Sequence, residues 1–261
     1  MYQMAAMEAA LTGTIYAGKL HFAPLTGSTN NDALEAARSG APHGSVYFAD
    51  AQSAGRGRSD HRWQSDAGQG LYVSALLRMQ IPAQRLQMLP LAAGLAAMLA
   101  IREASGLTAD LRWPNDLLLE DRKVGGILVE SRLAGSTLDY AVVGIGINVH
   151  QRSFDSSLAT PATSLDLAAG RGVSREVLLV ALLKSLEREA LATMLPDADH
   201  SLPERIAAAS TWVRGRQVEV HGPQACSGTT AGIDAQGFLR VDTGSAIVTV
   251  QTGGIRAIKA G

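Results

Sequence analysis

Arginines separated by glycines make the first chemically loaded stretch of this chain: Gly55-Arg56-Gly57-Arg58, followed by Arg62 and Trp63. Glycine keeps the backbone mobile and a guanidinium forks onto phosphate oxygens, so such a loop can fold over a phosphate. Trp63 adds a flat apolar surface of the kind an adenine covers. The same letters equally suit a flexible solvated loop or a weak RNA-binding tract. A second cluster is Arg112-Trp113-Pro114-Asn115-Asp116. Pro114 should end a short strand, so that Asn115 and Asp116 project from its end with their polar groups free. An amide and a carboxylate there suit a ribose, an Mg²⁺-bound phosphate or an attacking amine. An ordinary Asx turn would read the same way.

Lys123-Val124-Gly125-Gly126-Ile127-Leu128 follows directly. A lysine before two glycines on a strand lets a ligand approach the backbone while an ammonium covers its charge. A solvated hairpin lysine is the plainer alternative. The stretch is not a Walker A loop, because Gly-x-x-x-x-Gly-Lys-Ser/Thr does not occur. Gly144-Ile145-Gly146-Ile147-Asn148 lacks the third glycine and the following helix of a dinucleotide fingerprint. Glycines within a strand point instead to close approach by a ligand or another strand, with Asn148 placed to bond phosphate or purine groups. The six histidines, His21, His43, His61, His150, His200 and His221, show no ligand spacing with Cys226 or with one another, so no metal site is expected. No Gly-x-Ser-x-Gly elbow supports a serine hydrolase.

Elements must hold these residues. Thr29 and Asp32 have capping-box spacing ahead of a helix over 33–39, which Gly40 closes. Strands are expected over 45–50 and 71–77, on either side of a polar, glycine-punctuated loop over 52–70. Leu86, Leu89, Leu95, Met98 and Leu99 follow helical spacing up to Gly106. A short strand over 111–113 precedes a hairpin with arms 117–119 and 124–129 and Glu120 to Lys123 as its turn. Residues 141–149 form a further strand, and Ser174 caps a helix with Leu178, Leu182 and Leu186 in one stripe. From near Thr211, strands over 218–220, 228–233, 238–241 and 247–250 alternate with glycine-containing turns, the signature of a small β barrel. Mixed helices and hairpins argue for an α+β fold rather than regular βαβ winding. The expected division is a domain over 1–210 and a barrel over 211–261.

With 261 residues, 46% hydrophobic and 18% charged, the chain can bury a sizeable core, and wholesale disorder is excluded. A net charge of −1 without a basic tract argues against nucleic acid as the main partner. The longest apolar run, 89–101, is interrupted by Pro90 and Gly94 and is too short to span a bilayer, so it is expected to be a core helix. Residues 1–14 lack the pattern of a secretory signal. A lone cysteine, Cys226, allows no internal disulfide. A cytoplasmic protein with no membrane partner is the expectation.

Taken in order, these clusters closely resemble the biotin–protein ligases (biotin–[acetyl-CoA-carboxylase] ligases). The matching pieces are Ser28-Thr29-Asn30, Gln52 leading into Gly55 to Arg58, Trp63, Trp113 to Asp116, Lys123 to Leu128, Gly144 to Asn148 and Ala162-Thr163-Ser164-Leu165. The resemblance implies a mixed-sheet catalytic domain like that of the lipoate ligases, followed by an SH3-like barrel. It implies two steps: biotin attacks Mg·ATP to give biotinyl-5′-AMP and pyrophosphate, and a lysine of a biotin carboxyl carrier domain then takes the acyl group. Two anions meet in the first step, so cations such as Lys123, Arg56 and Arg58 are required near the α-phosphate. By resemblance, Ser28, Thr29, Asn30 and Gln52 bind the ureido ring of biotin. Arg56, Gly57 and Arg58 belong to a loop that orders over the adenylate, and Gly125 and Gly126 line the biotin side. Lys123 bonds carboxyl and phosphate oxygens. Trp63, Asn115, Asp116 and Asn148 lie on the nucleotide side, where Asp116 also helps deprotonate the incoming lysine. Lys123, Arg58 and Asp116 are thus the expected catalytic residues.

Two departures from the family pattern stand out. Many relatives continue the loop as Gly-Arg-Gly-Arg-x-Gly-Arg-x-Trp, whereas Asp60 and His61 fill those Gly and Arg slots here. The residues before Ser28 are too few for the helix-turn-helix of the bifunctional members, so a ligase without a repressor half is expected. Family dimers pair through sheet edges, which leaves a homodimer open. The rival readings are a lipoate or octanoate ligase of the same superfamily and a non-enzymatic biotin or adenylate sensor.

Overall fold

The computed structural model describes residues 2–58, 61–194 and 201–258. The chain runs α1 (Met4–Ala10), β1 (Leu20–Thr26), α2 (Thr29–Arg38), β2 (Val46–Gln52), β3 (Gly70–Leu77) and α3 (Met88–Ser105). It continues through β4 (Asp110–Arg112), β5 (Asp116–Leu119), β6 (Arg122–Ala134), β7 (Thr137–Asn148), α4 (Leu165–Ala169), α5 (Arg175–Ala192) and α6 (Leu202–Ala209). The first seven strands form one sheet in the order β1-β2-β3-β7-β6-β5-β4. All its pairs are antiparallel except β1 with β2, which run parallel. The β1–α2–β2 crossover is therefore one βαβ unit inside a sheet that otherwise lacks regular βαβ winding. It arises because α2 lies between two strands that enter the sheet side by side.

Each face of the sheet is covered by helix. Leu71, Val73, Ala75 and Leu77 of β3 join the large core with α3 and α5, while Leu76 packs with Ala33 and Ala37 of α2 and with Tyr140 and Val142 of β7. A strand apolar on both faces is what two helical layers demand. The apolar run around Leu89 to Ile101 is indeed a core helix: α3 is long and apolar enough to cross a membrane, yet 72% of its hydrophobic window is buried in the fold. Gly106 ends it in the left-handed region, where a missing Cβ removes the steric cost.

Several boundaries differ from expectation. The helix expected over 33–39 begins at Thr29, because Ser28 to Asp32 take up its first turn. No capping box forms: Asp32 accepts from the Thr26 hydroxyl at 2.7 Å instead. Leu86 precedes α3, and α1 had no periodic signal long enough to read. Ser174 does cap α5, accepting from the Val177 amide. The β5–β6 turn is only Glu120-Asp121, since Leu119 pairs with Arg122, so Lys123 lies in the strand and not in the turn.

The C-terminal strands are β8 (Arg214–His221), β9 (Cys226–Ile233), β10 (Leu239–Asp242), β11 (Ile247–Val250) and β12 (Gly254–Ala257), in the antiparallel order β11-β10-β9-β8-β12. This sheet abuts the first. Ser210 Oγ donates to Leu111 O at 2.6 Å, Trp113 Nε1 donates to Gly237 O at 3.1 Å, and Arg216 forks onto Asp121 at 2.8 and 2.9 Å.

Glu120 and Asp121 both have positive φ, 51° and 60°, the pattern of a two-residue I′ hairpin turn. Glutamate carries a left-handed penalty that asparagine largely escapes. Glu120→Asn should therefore stabilise the fold by about 0.5–1 kcal/mol. Thermal unfolding of the two proteins checks it.

Candidate active site

A bulge aims the lysine. Asp116 faces Gly126 and Leu117 faces Gly125, but Leu118 faces Lys123, so Val124 is an extra residue in β6. Side chains alternate along a strand, and one inserted residue reverses the alternation. Lys123 thus shares a face with Asp116 and Gly126. Its Nζ lies 2.5 Å from Asp116 Oδ1, and Arg112 Nη2 lies 2.6 Å from Asp116 Oδ2. The Lys123 backbone is held as well: its N–H donates to Pro161 O at 2.7 Å and its carbonyl accepts from the Thr163 amide at 2.9 Å.

Asp116 is therefore not free, as its strand-end position suggested. Burial works to raise its pKa, but Lys123 and Arg112 outweigh that by charge and hydrogen bonding and hold it below the ordinary carboxylate range. Asn115 is likewise engaged: Nδ2 donates to Ile127 O at 2.8 Å, and Oδ1 accepts from Arg58 at 3.1 Å.

Beside this ion cluster the sheet is stripped of side chains. Tyr72, Gly146, Gly126 and Asp116 form one row across four strands, and Ser74, Gly144 and Leu128 the next. The glycines make room for this chain's own residues. A Cβ on Gly144 would collide with the Asn30 amide, and one on Gly146 would lie 2.6 Å from Trp63 Nε1. The indole also covers Gly126, and Lys123 Nζ stands 5.7 Å from its centroid. The Trp63 N–H is buried and has no hydrogen-bond partner among the described residues.

Polar groups ring this trough. Gln52 Oε1 accepts from the Thr29 amide at 2.9 Å, and Gln52 Nε2 donates to Ser65 Oγ at 2.8 Å. Ser74 Oγ lies 2.6 Å from Asn30 Oδ1 and 2.8 Å from Thr29 Oγ1, and Asn30 Nδ2 donates to Glu130 at 2.9 Å. Ser28, Thr29 and Asn30 are all buried at the start of α2. Asn148 is buried at the end of β7, donating to Thr163 O at 3.1 Å and accepting from Gln151 at 3.3 Å.

The arginine loop arches over β6. A cleft of about 440 Å³ lies between Ala54, Gly55, Arg56 and Arg58 on one side and Leu128 and Val129 on the other, within the range of small-molecule sites. Arg56 forks onto Glu130 at 2.9 and 3.0 Å and also reaches Asn31 at 2.9 Å. Arg58 reaches Asn115 and the Gly253 carbonyl, the latter at 3.2 Å. Burial lowers the Arg58 pKa while the Asp116 charge pushes it back up, and a guanidinium stays charged through such shifts. Gly57 N–H donates to His61 O at 2.7 Å. Of the two family-divergent positions, Asp60 lies outside the described residues, and His61 is the one that accepts from Gly57.

Ser28 to Asn30, Gln52, the arginine loop, Trp63, Asn115, Asp116, Lys123, Gly126, Gly144 and Gly146 are thus brought together on one face of the sheet, with Asn148 at its edge, whereas Gly125 faces the core beside Leu117 and Ile147. Ser74, Ser65 and Glu130 were missed. Ser74 had a signal, as the lone serine in the run 71–77. Glu130 also had one, two residues beyond Leu128 in strict alternation from Gly126.

Gly144→Ala forces Asn30 from its socket and should destabilise the protein by about 1–3 kcal/mol. Gly172→Ala, where an added Cβ meets nothing within 4 Å, should stay within about 0.5 kcal/mol of wild type. Urea melts of both variants distinguish a filled socket from a general glycine effect.

The sequence pattern of the biotin/lipoate A/B protein ligase family matches residues 22–148. The chain is 34% identical over 236 residues to a biotin–[acetyl-CoA-carboxylase] ligase of Mycobacterium tuberculosis, covering 88% of this chain and 85% of that protein. It is 39% identical over 163 residues to the bifunctional ligase/repressor BirA of Bacillus subtilis, covering 62% of this chain and 50% of that one, so it spans half of that relative's length. A biotin protein ligase from Aquifex aeolicus, solved in complex with biotin and ATP, superposes with a TM-score of 0.76 at 28% identity, covering 93% of this chain and 100% of that one. With a third of its residues shared across most of a biotin ligase's length, this chain belongs to the biotin/lipoate A/B protein ligase family, among the biotin–protein ligases.

Proposed function

We propose that this protein activates biotin with ATP and transfers it to one lysine of a biotin carboxyl carrier domain. The observation that carries this is the trough itself: Lys123, fixed by Asp116, beside a glycine-stripped sheet under a loop presenting Arg56 and Arg58. It is supported by the named activity of the Mycobacterium relative and by the ligands of the Aquifex structure.

In the first step a carboxylate oxygen of biotin attacks the α-phosphorus and pyrophosphate leaves, giving biotinyl-5′-AMP. Both reactants are anionic, and Mg²⁺ enters as the counter-ion of the ATP substrate. Lys123 and Arg58 supply fixed positive charge where negative charge accumulates, which costs no reorganisation at the moment of reaction. In the second step an amine nitrogen attacks the acyl carbon, AMP leaves with the bonding pair, and the amine proton is lost. Asp116, kept ionised by two cations, is a poor acceptor for that proton. Its contribution is to hold Lys123 in place. Ser28, Thr29, Asn30 and Gln52 form the ureido side, with Gly126 along the biotin chain, while Trp63, Asn115 and Asn148 form the nucleotide side.

We further read residues 1–210 as the catalytic domain and 211–261 as an SH3-like barrel. Inward-facing Val218, Val220, Leu239, Val241, Val250 and Ile255 in short antiparallel strands support this. The unpaired Cys226 fits a reducing, cytoplasmic setting, and the exposed end of β6 offers an edge for a homodimer.

Incubation with ATP, Mg²⁺, labelled biotin and a carrier domain should label the carrier lysine, and transfer of lipoate alone would sink the proposal. Lys123→Ala should slow adenylate formation by about 10²–10³-fold, the scale for one preorganised electrostatic contact. Quenched-flow measurement of pyrophosphate release tests this. Arg58→Gly should free the adenylate from its loop and label bystander lysines. Retention as tight as in wild type would remove Arg58 from that role.

A further inference from the structure

A carboxylate is out of place in a site built to receive two anions, since it raises the cost of every negative charge that enters. Glu130 nevertheless stands on the site face of β6, two residues beyond Leu128. The Lys123–Asp116–Arg112 cluster makes no use of it. Its partners explain it. Oε1 and Oε2 meet the two terminal nitrogens of Arg56 at 2.9 and 3.0 Å, a parallel fork. Oε2 also accepts from Asn30 Nδ2 at 2.9 Å. One carboxylate thus ties the arginine loop to the first turn of α2.

We propose that Glu130 is a positioning residue that latches the arginine loop to the sheet through Arg56 and sets the orientation of Asn30. The inference rests on the ligase reading above.

Two features support a latch over a simple stabilising pair. The side chains of Arg56 and Glu130 are 41% and 25% exposed, and ion pairs at such exposure contribute little to global stability. What the pair does fix is local: the loop's first arginine is drawn to α2 and β6, while its second, Arg58, bonds Asn115 and Gly253 on the opposite flank. The division of labour follows. Arg56, tied to Glu130 and Asn31, secures the loop, and Arg58 and Lys123 are the cations that meet phosphate. Asn30 gains a defined amide orientation as well. Its Oδ1 meets the Ser74 hydroxyl, which can donate or accept, while its Nδ2 faces Glu130 and the Leu128 carbonyl, which only accept, so its polar atoms cannot exchange places without losing the bond to Glu130.

The test has two arms. In the ligand-free protein, Glu130→Gln should speed tryptic cleavage after Arg56 or Arg58 by about five- to tenfold, the weight of one half-exposed charge-assisted fork. In the full reaction, the same variant should release labelled adenylate faster by a similar factor and raise KM for biotin more than it lowers kcat. Arg56→Ala should match it, and the double variant should be no worse than either single, because both changes break the same link. Glu130→Ala repeats the comparison should the amide form a bond of its own. Wild-type cleavage and retention in both Glu130 variants, or single effects that multiply in the double, would overturn the latch. A wild-type protein that forms no adenylate would instead overturn the ligase reading, even where the cleavage arm still reports the loop.

Discussion

Lys123 reaches the site face because β6 gains one residue against β5 between Leu117 and Leu118. In an unbulged ladder, Lys123 and Gly126, three residues apart, would face opposite sides of the sheet. The ammonium would then point into the layer of α3 and α5, where Leu117, Val124 and Ile127 are packed. An unpaired charge there is far costlier than a bulge. The insertion buries Val124 completely and turns Lys123 towards Asp116. Much else in the site depends on that reversal. Asp116 gains a second cation, Trp63 gains an ammonium at its ring, and the glycine row lies beside a fixed positive charge.

That charge is assembled by the chain alone, and the cost of doing so shapes the surroundings. Three cations, Arg58, Arg112 and Lys123, converge on Asp116. Packed without it, they would repel one another at low dielectric. With it, Arg112 and Lys123 are both paired, and Arg58 feels the same carboxylate at longer range. Glu130 plays the matching part for Arg56 on the other flank. The two carboxylates are thus what lets a cation-rich cleft fold in the absence of ligand, and each is placed where it holds a side chain still.

Motif chemistry was largely legible in the sequence, whereas face and register were not. Arginine–glycine spacing, Asn115-Asp116 and the Lys-x-Gly-Gly run named most of the residues that surround the trough. What could not be read was which side chains the glycines admit. Gly144 and Gly146 suggested a ligand or a neighbouring strand, and they instead accommodate Asn30 and Trp63, residues distant in sequence. Asp116 looked free because its partners lie elsewhere: Lys123 across a hairpin whose register depends on a bulge, and Arg112 four residues back on the paired strand. The start of α2 was misplaced for a related reason. Thr29 spends its hydroxyl on Gln52 and Asp32 accepts from Thr26, so neither acts as a cap. Short motifs report composition at a site, but they do not report long-range pairing.

The C-terminal sheet grips the hairpin that carries Lys123 at both ends. At the turn, Asp121 takes the fork of Arg216, whose guanidinium lies 3.9 Å from the centroid of the Trp212 ring. The same indole has Arg112 at 5.4 Å, and Arg112 holds Asp116 at the other end of β5. Trp212 is buried, so its two arginine neighbours are held by packing as well as by charge. A second link runs from the Gly253 carbonyl to Arg58. The hairpin that carries Lys123 and the loop that carries Arg58 therefore share one support, although they lie far apart along the chain. Movement of this sheet relative to the first would shift both cations together, which makes their spacing a property of the whole molecule.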